Sequence, residues 1–319
     1  MANIHDVARL AGVSVTTVSR VLNNHPYVKR EKVEAVNQSI KQSGYIRNIN
    51  AVNLKKGKTN LVGVVLPFLD HPYFAQLIQG ISLAASVHHY KIVLYQTGYL
   101  EDQEMEALEM LKLKQIDSLI ICSRKISLDI VERYREYGKI VLFENGTDTS
   151  LSYTFVDHYT CFMKALNYLY DRGHREIGFC INRLDGTNSG QRERAYQDFL
   201  EIKGLRYNEE YIFKGCHYLE DGERVLHELS GMKHRPTALL ATSDQVAAGM
   251  ITASPTYNIA IPDDLAIIGF DDQPIARAMN ITTVGIPLHS IGELLLEQTM
   301  SETVSHKEVS VELIERLTV

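Results

Sequence analysis

From Leu61 onward, short apolar runs alternate with amphipathic segments of helical length, and this alternation constrains the fold more than any other feature. The runs are Leu61–Leu66, Lys91–Tyr95, Ser118–Cys122, Ile140–Phe143, Thr154–Val156, Ile177–Cys180, Ala238–Ala241, Leu265–Gly269 and Thr282–Val284. Runs this short and this apolar suit strands covered on both faces. Helices of roughly 10–18 residues between them make βαβ units on parallel sheets. The fold class is therefore α/β. One nine-stranded sheet also satisfies the pattern, but two lobes fit 319 residues better. With 45% apolar and 23% charged residues the chain is neither disordered nor a membrane protein. Its apolar stretch Leu61–Leu69 is about half of the roughly 18 residues a span needs, and it contains Pro67.

The net charge of -6 conceals a division. Residues 1–60 carry ten Lys/Arg against three acids, whereas the remainder carries 23 basic against 36 acidic residues. A basic head on an acidic body points to a polyanionic partner for the head alone. Three short helices can be read there, about Ile4–Ala11, Val15–Leu22 and Arg30–Gln42, with Gly44 placed for a left-handed cap. The spacing Ala8, Gly12, Val18 gives a small residue at a helix crossing, a Gly for the turn and a branched residue to lock the second helix. That is a helix-turn-helix, and its second helix would enter the major groove of DNA. A plain three-helix bundle explains the apolar pattern but not the polar, Arg-bearing outer face.

The run from Ile4 to Asn23, IHDVARLAGVSVTTVSRVLN, closely resembles the DNA-binding head of the LacI/GalR family of bacterial transcriptional regulators. The likeness continues through Val28, the third helix, Gly44-Tyr45 and Asn48 to Leu54. It implies that Val15, Thr16 and Arg20 read bases, and that Ser14, Thr17, Ser19, Asn23 and Tyr27 lie near phosphates. An Arg fork suits G O6 and N7, while Val15 and the Thr16 methyl suit a thymine methyl. The resemblance also makes the segment from Asn48 a hinge helix, with Ala51 and Leu54 facing the minor groove, where an apolar wedge bends DNA. A flexible basic linker over 46–58 is the alternative. Arg47 stands where the family usually has Pro.

The resemblance extends to the body through His71–Ala75, Arg172–Gly178, Gln191–Tyr196, Thr242–Gly249 and Ile261–Asp272. It implies a two-lobed core, similar to periplasmic sugar-binding proteins, of doubly wound parallel sheets, with the chain crossing between lobes three times. The expected divisions are a head over 1–46, a hinge over 47–58, a first lobe over 59–157 completed by about 288–304, and a second lobe over 158–287 completed by about 305–319. In open α/β sheets ligands sit beyond the carboxyl ends of strands, which selects Phe68, Asp70, Tyr73, Glu144, Ser243 and Asp271. By resemblance Arg192 and Asp271 would hold a hydroxylated ligand, a guanidinium and a carboxylate supplying donors and acceptors while aromatics cover an apolar ring face. A surface ion pair with Glu193 or Asp198 is the alternative for Arg192, and a turn or helix cap the alternative for Asp271 and Asp272. Ser243 stands where the family commonly has Asn or Asp, Glu144 where it has Asp, and Ser254-Pro255 interrupts a helix that usually runs on.

No GxSxG, HExxH or GxGxxG pattern appears, so neither an enzyme nor a cofactor is expected. The histidines lack metal-ligand spacing and are expected on the surface or in the core; the four cysteines are expected as buried small hydrophobes. Without a basic, apolar leader the chain is expected to be cytoplasmic and free of membrane. These readings converge on a repressor of a carbohydrate-utilisation operon that binds a pseudo-palindromic operator and a sugar or sugar phosphate. A sugar-binding protein without DNA function, or an α/β enzyme carrying a head, would be the alternatives. A helix-turn-helix reads half a site, so a homodimer is expected, and Leu313–Val319 is too short for the heptads of a tetramerising tail.

Overall fold

In the head, the sequence of caps fixes the helix ends. Helix α1 (Ile4–Leu10) starts at Asn3, whose side chain accepts from the His5 and Asp6 amides while Asp6 accepts from the Asn3 amide. This reciprocal box satisfies amides that the first turn leaves unpaired. Gly12 then turns the chain at φ +62°, a conformation a side chain would strain. Helix α2 (Val15–Leu22) begins at Ser14, and α3 (Arg30–Ser43) ends at Gly44 with φ +61°. Val7, Ala8, Val18, Val21 and Val36 form the small core.

The computed structural model describes residues 2–46, 57–146, 149–183 and 186–319, in two compact units, Met1–Thr59 and Asn60–Val319. Arg47, Asn48, Ala51 and Leu54 lie outside the described residues.

The second unit holds two six-stranded sheets. The first contains β1 (Leu61–Leu66), β2 (Lys91–Gln96), β3 (Ser118–Ile121), β4 (Lys139–Leu142), β5 (Ser152–Phe155) and β11 (His306–Glu308), in the order β11-β5-β4-β3-β1-β2. The second contains β6 (Ile177–Ile181), β7 (Ile212–Lys214), β8 (Ala238–Ala241), β9 (Ala266–Phe270), β10 (Thr282–Gly285) and β12 (Glu312–Ile314), in the order β12-β10-β9-β8-β6-β7. Every pairing is parallel except β10 with β12. The matching orders make two doubly wound lobes, each with a switch point, between β1 and β3 and between β6 and β8.

The chain passes between lobes after β5, after β10 and between β11 and β12. Helix Leu288–Met300 returns to the first lobe and packs on helix Pro72–Val87. The last passage falls between Glu308 and Glu312 rather than at 305, because His306–Glu308 pairs with β5.

Glycines let paired helices touch. A Cβ on Gly80 would overlap the His289 carbonyl, and one on Gly292 the Leu77 carbonyl. In the second lobe Gly222 and Gly249 meet the carbonyls of Val246 and Leu219 in the same way. Helix Asp244–Tyr257 runs through Ser254-Pro255, contrary to the interruption expected there. Pro255 cannot donate to the Ile251 carbonyl, but the Ser254 hydroxyl does so at 2.9 Å. No helix among the described residues is long and apolar enough to cross a membrane.

Candidate functional site

A cavity of about 150 Å³ opens between the carboxyl ends of the two sheets. Loops after β1, β3, β4, β6, β7, β8 and β9 all contribute to it, so it spans both switch points. Tyr73, Glu144, Arg192, Ser243 and Asp271 line it together. Phe68 and Asp70 do not. The Phe68 ring packs on His217 at 4.9 Å and on Tyr99 at 5.6 Å, and Asp70 accepts from the Tyr218 hydroxyl at 3.0 Å. Both therefore join the first lobe to the second rather than face the cavity.

Arg192 projects from helix Thr187–Lys203, with its guanidinium over the Phe270 ring at 4.9 Å. Its Nη2 lies 3.2 Å from Nδ1 of His158, and Nε has no protein partner among the described residues. The surface ion pair with Asp198 is not made; Asp198 instead meets Arg194 at 3.6 Å and Tyr159 at 2.9 Å. Burial, then the neighbouring Arg192 charge, keep His158 neutral far below the usual imidazole range, so its Nδ1 is free to accept from Arg192. Burial also lowers the Arg192 guanidinium from its ordinary value, opposed by the charge of Asp271.

Asp271 follows β9 with φ +97°, a strained setting for a residue with a side chain, and its amide donates to Val284 O at 2.8 Å. Gln273 donates to its carboxylate at 3.0 Å and in turn accepts from Gln245, also at 3.0 Å. Burial pushes the Asp271 carboxyl up to about 7, against the pull of Arg192 and Gln273. Asp272 is different in kind: it pairs with Arg277 at 2.8 Å and Arg316 at 2.6 Å and closes the turn. Asp244 is fully buried and accepts from Thr283 Oγ1 and the Gln273 amide, each at 2.7 Å. It anchors the loop that carries Asp271.

Ser243 caps helix Asp244–Tyr257, accepting from the Gln245 amide at 3.2 Å. Glu144 is held by Arg124 and accepts from Thr187 of the opposite lobe at 3.3 Å. The Tyr73 ring stacks on Phe143 with centroids 6.3 Å apart. Burial and the nearby Asp271 charge raise its phenol, so it stays protonated.

Sequence reasoning missed His71, His217, Arg124, Asn182 and Arg183, which also line the cavity. The His71 and His217 rings stack across the lobes at 4.4 Å, and His71 Nε2 lies 3.3 Å from the His217 carbonyl. Burial, then the neighbouring His217, lower His71 to about 4; burial lowers His217 too. His217 Nε2 has no protein partner among the described residues. Only the position of His71, five residues beyond β1, could have signalled this, since metal spacing was the wrong question. No His/Cys/Asp/Glu group suited to a metal occurs among the described residues.

In the head, Thr16 and Arg20 are exposed on the outer face of α2. Val15 is half-buried beside them, and Tyr27 is 88% exposed. Arg20 has no ion-pair partner among the described residues. Ser14 and Thr17 share a 3.0 Å hydroxyl contact, and Asn23 Nδ2 donates to the Ser19 carbonyl at 2.8 Å. These four polar residues also secure the two ends of α2.

Residues 59–307 match the model of periplasmic binding proteins and the sugar binding domain of the LacI family, and residues 3–48 match that of bacterial regulatory proteins of the lacI family. The HTH-type transcriptional regulator YkvZ of Bacillus subtilis is 38% identical, over all of both chains. The NTD biosynthesis operon regulator NtdR of the same organism is 37% identical, covering 92% of this chain and 90% of its own. A LacI family transcriptional regulator from Lactobacillus casei, solved with bound glucose, superposes with a TM-score of 0.75 at 25% identity, covering 81% of this chain and 99% of its own.

Proposed function

Because the chain belongs to the LacI family of bacterial regulatory proteins, a family of DNA-binding regulators with a sugar-binding type of core, we propose that it represses a carbohydrate-utilisation operon under control of a sugar-like effector held in the cleft. The observation that carries this reading is the convergence of Arg192 and Asp271 on one cavity. Arg192 leans on a neutral His158 rather than on a carboxylate and keeps an unpaired Nε; Asp271 is held ready by Gln273. No direct ion pair joins the two among the described residues. Such a couple offers donors and acceptors to vicinal hydroxyls, with Tyr73, Phe143 and Phe270 as apolar neighbours. The glucose and the sucrose bound by the Lactobacillus casei protein support a mono- or disaccharide ligand.

In the proposed dimer two heads grip a pseudo-palindrome, with Arg20, Thr16 and Val15 reading bases and Ser14, Thr17, Ser19, Asn23 and Tyr27 near phosphates. Asn48, Ala51 and Leu54 would complete the contact in the minor groove. A dimer surface is offered by exposed Leu83 and Val87, one turn apart on a helix packed beside the edge strand β2 with its exposed Leu94. Selection from random duplexes tests the DNA side. It should return a two-fold site on which Arg20→Ala loses about 1–3 kcal/mol while random DNA is bound as before. Equal loss on both would reduce Arg20 to a phosphate contact.

A further inference from the structure

Four free, buried thiols are present, and they are not alike. Cys180 lies on β6, paired in register with Phe213 of β7. Just beyond β7 the chain turns at Gly215, with φ +69°, and comes back against β6: the Gly215 amide donates to Asn182 O at 3.0 Å and the Cys216 amide to Ile181 O at 3.1 Å. This return sets Cys216 in one buried cluster with Cys180, and the Cys216 thiol donates to the Phe213 carbonyl at 3.3 Å. Arg224 brings Nη2 to 3.6 Å from the Cys216 sulfur while it is also held by Glu228 at 2.9 Å and Asp221 at 3.5 Å. Cys216 lines the cavity, as Cys122 does.

These surroundings separate the thiols. Burial raises Cys122 far above the thiol range and takes Cys161 up to about 11. Cys216 is shifted down instead, first by the neighbouring Cys180 thiol and then, against burial, by Arg224. Cys180 is raised by burial and by the neighbouring Cys216. A thiol shifted towards its anion beside the Arg224 cation, next to one shifted away from it, is the arrangement that peroxide attack followed by resolution requires.

We propose that Cys216 and Cys180 form an oxidisable dithiol beside the cleft, with Cys216 attacking a hydroperoxide and Cys180 resolving the product. The Cys216 thiolate attacks the peroxide oxygen; the O–O bond breaks, the leaving oxygen takes a proton as water or an alcohol, and Cys216 becomes a sulfenic acid. Cys180 then attacks the Cys216 sulfur, the S–O bond breaks, hydroxide leaves with the Cys180 proton as water, and a disulfide forms. The hydroperoxide gains two electrons and the thiols lose two. His217 follows Cys216 and carries the stacking contact with His71, so the bond would tether the loop that closes the cleft. That consequence alone rests on the cleft being a ligand site; the dithiol chemistry does not.

The test treats the full chain with hydrogen peroxide, without any sugar, and maps thiols by mass spectrometry against time. The expected result is loss of two of the four thiols with Cys180 linked to Cys216, while Cys122 and Cys161 persist. Cys180→Ser should accumulate a sulfenic acid at Cys216 that dimedone traps, and Cys216→Ser should lose thiols at least about tenfold more slowly than wild type. Wild-type mapping alone decides if either variant misfolds. Oxidation of Cys122 or Cys161 first, an unslowed Cys216→Ser, or no reaction in the folded chain while the urea-unfolded chain reacts would each overturn the proposal.

Discussion

Asp271 shows what a residue's surroundings do to its chemistry. Its type and its place after an apolar run were legible in the sequence, but its burial, its positive φ and its support from Gln273 were not. With its carboxyl raised from its ordinary value of 3.8 to about 7, the folded protein holds a proton that the unfolded chain has released. The contribution of this group to stability therefore falls as pH rises from about 4 to 7. A ligand whose hydroxyls donate to the carboxylate favours the ionised form and so expels that proton. Calorimetric titration of a binding sugar should show proton release near pH 7, with affinity rising from about pH 6 to 8. Asp271→Asn should remove both effects, and heats that do not depend on the buffer would contradict the assignment. The histidines teach the converse. His71, His158 and His217 matter here through stacking and neutrality, which no spacing rule reveals, because their partners lie on other loops or the other lobe.

At the scale of elements, the nine apolar runs correspond to β1–β6 and β8–β10 within a residue or two, since strands covered on both faces must be apolar; β2, at a sheet edge and half-exposed, was read from its apolar Ile92-Val93-Leu94 alone. The three strands not read are β7, β11 and β12, each three residues long and at a sheet edge. His306-Lys307-Glu308 is exposed and polar, so its sequence carries no strand signal; backbone pairing with β5 and the stacking of His306 on Tyr153 at 4.1 Å hold it there. Helix crossings were equally hidden, because a glycine's neighbour across a contact is not written beside it. Gly249→Ala must push the Leu219 carbonyl aside and should destabilise the protein by at least about 1–3 kcal/mol. Gly190→Ala, in a helix with nothing within 4 Å of a new Cβ, should instead be neutral or stabilising by up to about 1 kcal/mol. Urea unfolding midpoints for the two variants check this, and equal shifts would deny the close crossing.

For the whole molecule, the charge division was legible because it needs only counting, and the family because its motifs follow in order along nearly the entire chain. Which ligand the cleft would select was not legible, since its lining is assembled from loops of both lobes. The central claim is that occupancy of the cleft sets the grip of the head on DNA. Coupling of this kind typically amounts to about 1–3 kcal/mol, a change of roughly 5–150-fold in affinity. The most direct measurement is a fluorescence anisotropy titration of the selected operator, with and without a sugar that raises the melting temperature. Wild type should shift its operator affinity within that range, whereas Arg192→Ala should bind the free operator like wild type and ignore the sugar. A variant that responds to the sugar as wild type does would contradict the account.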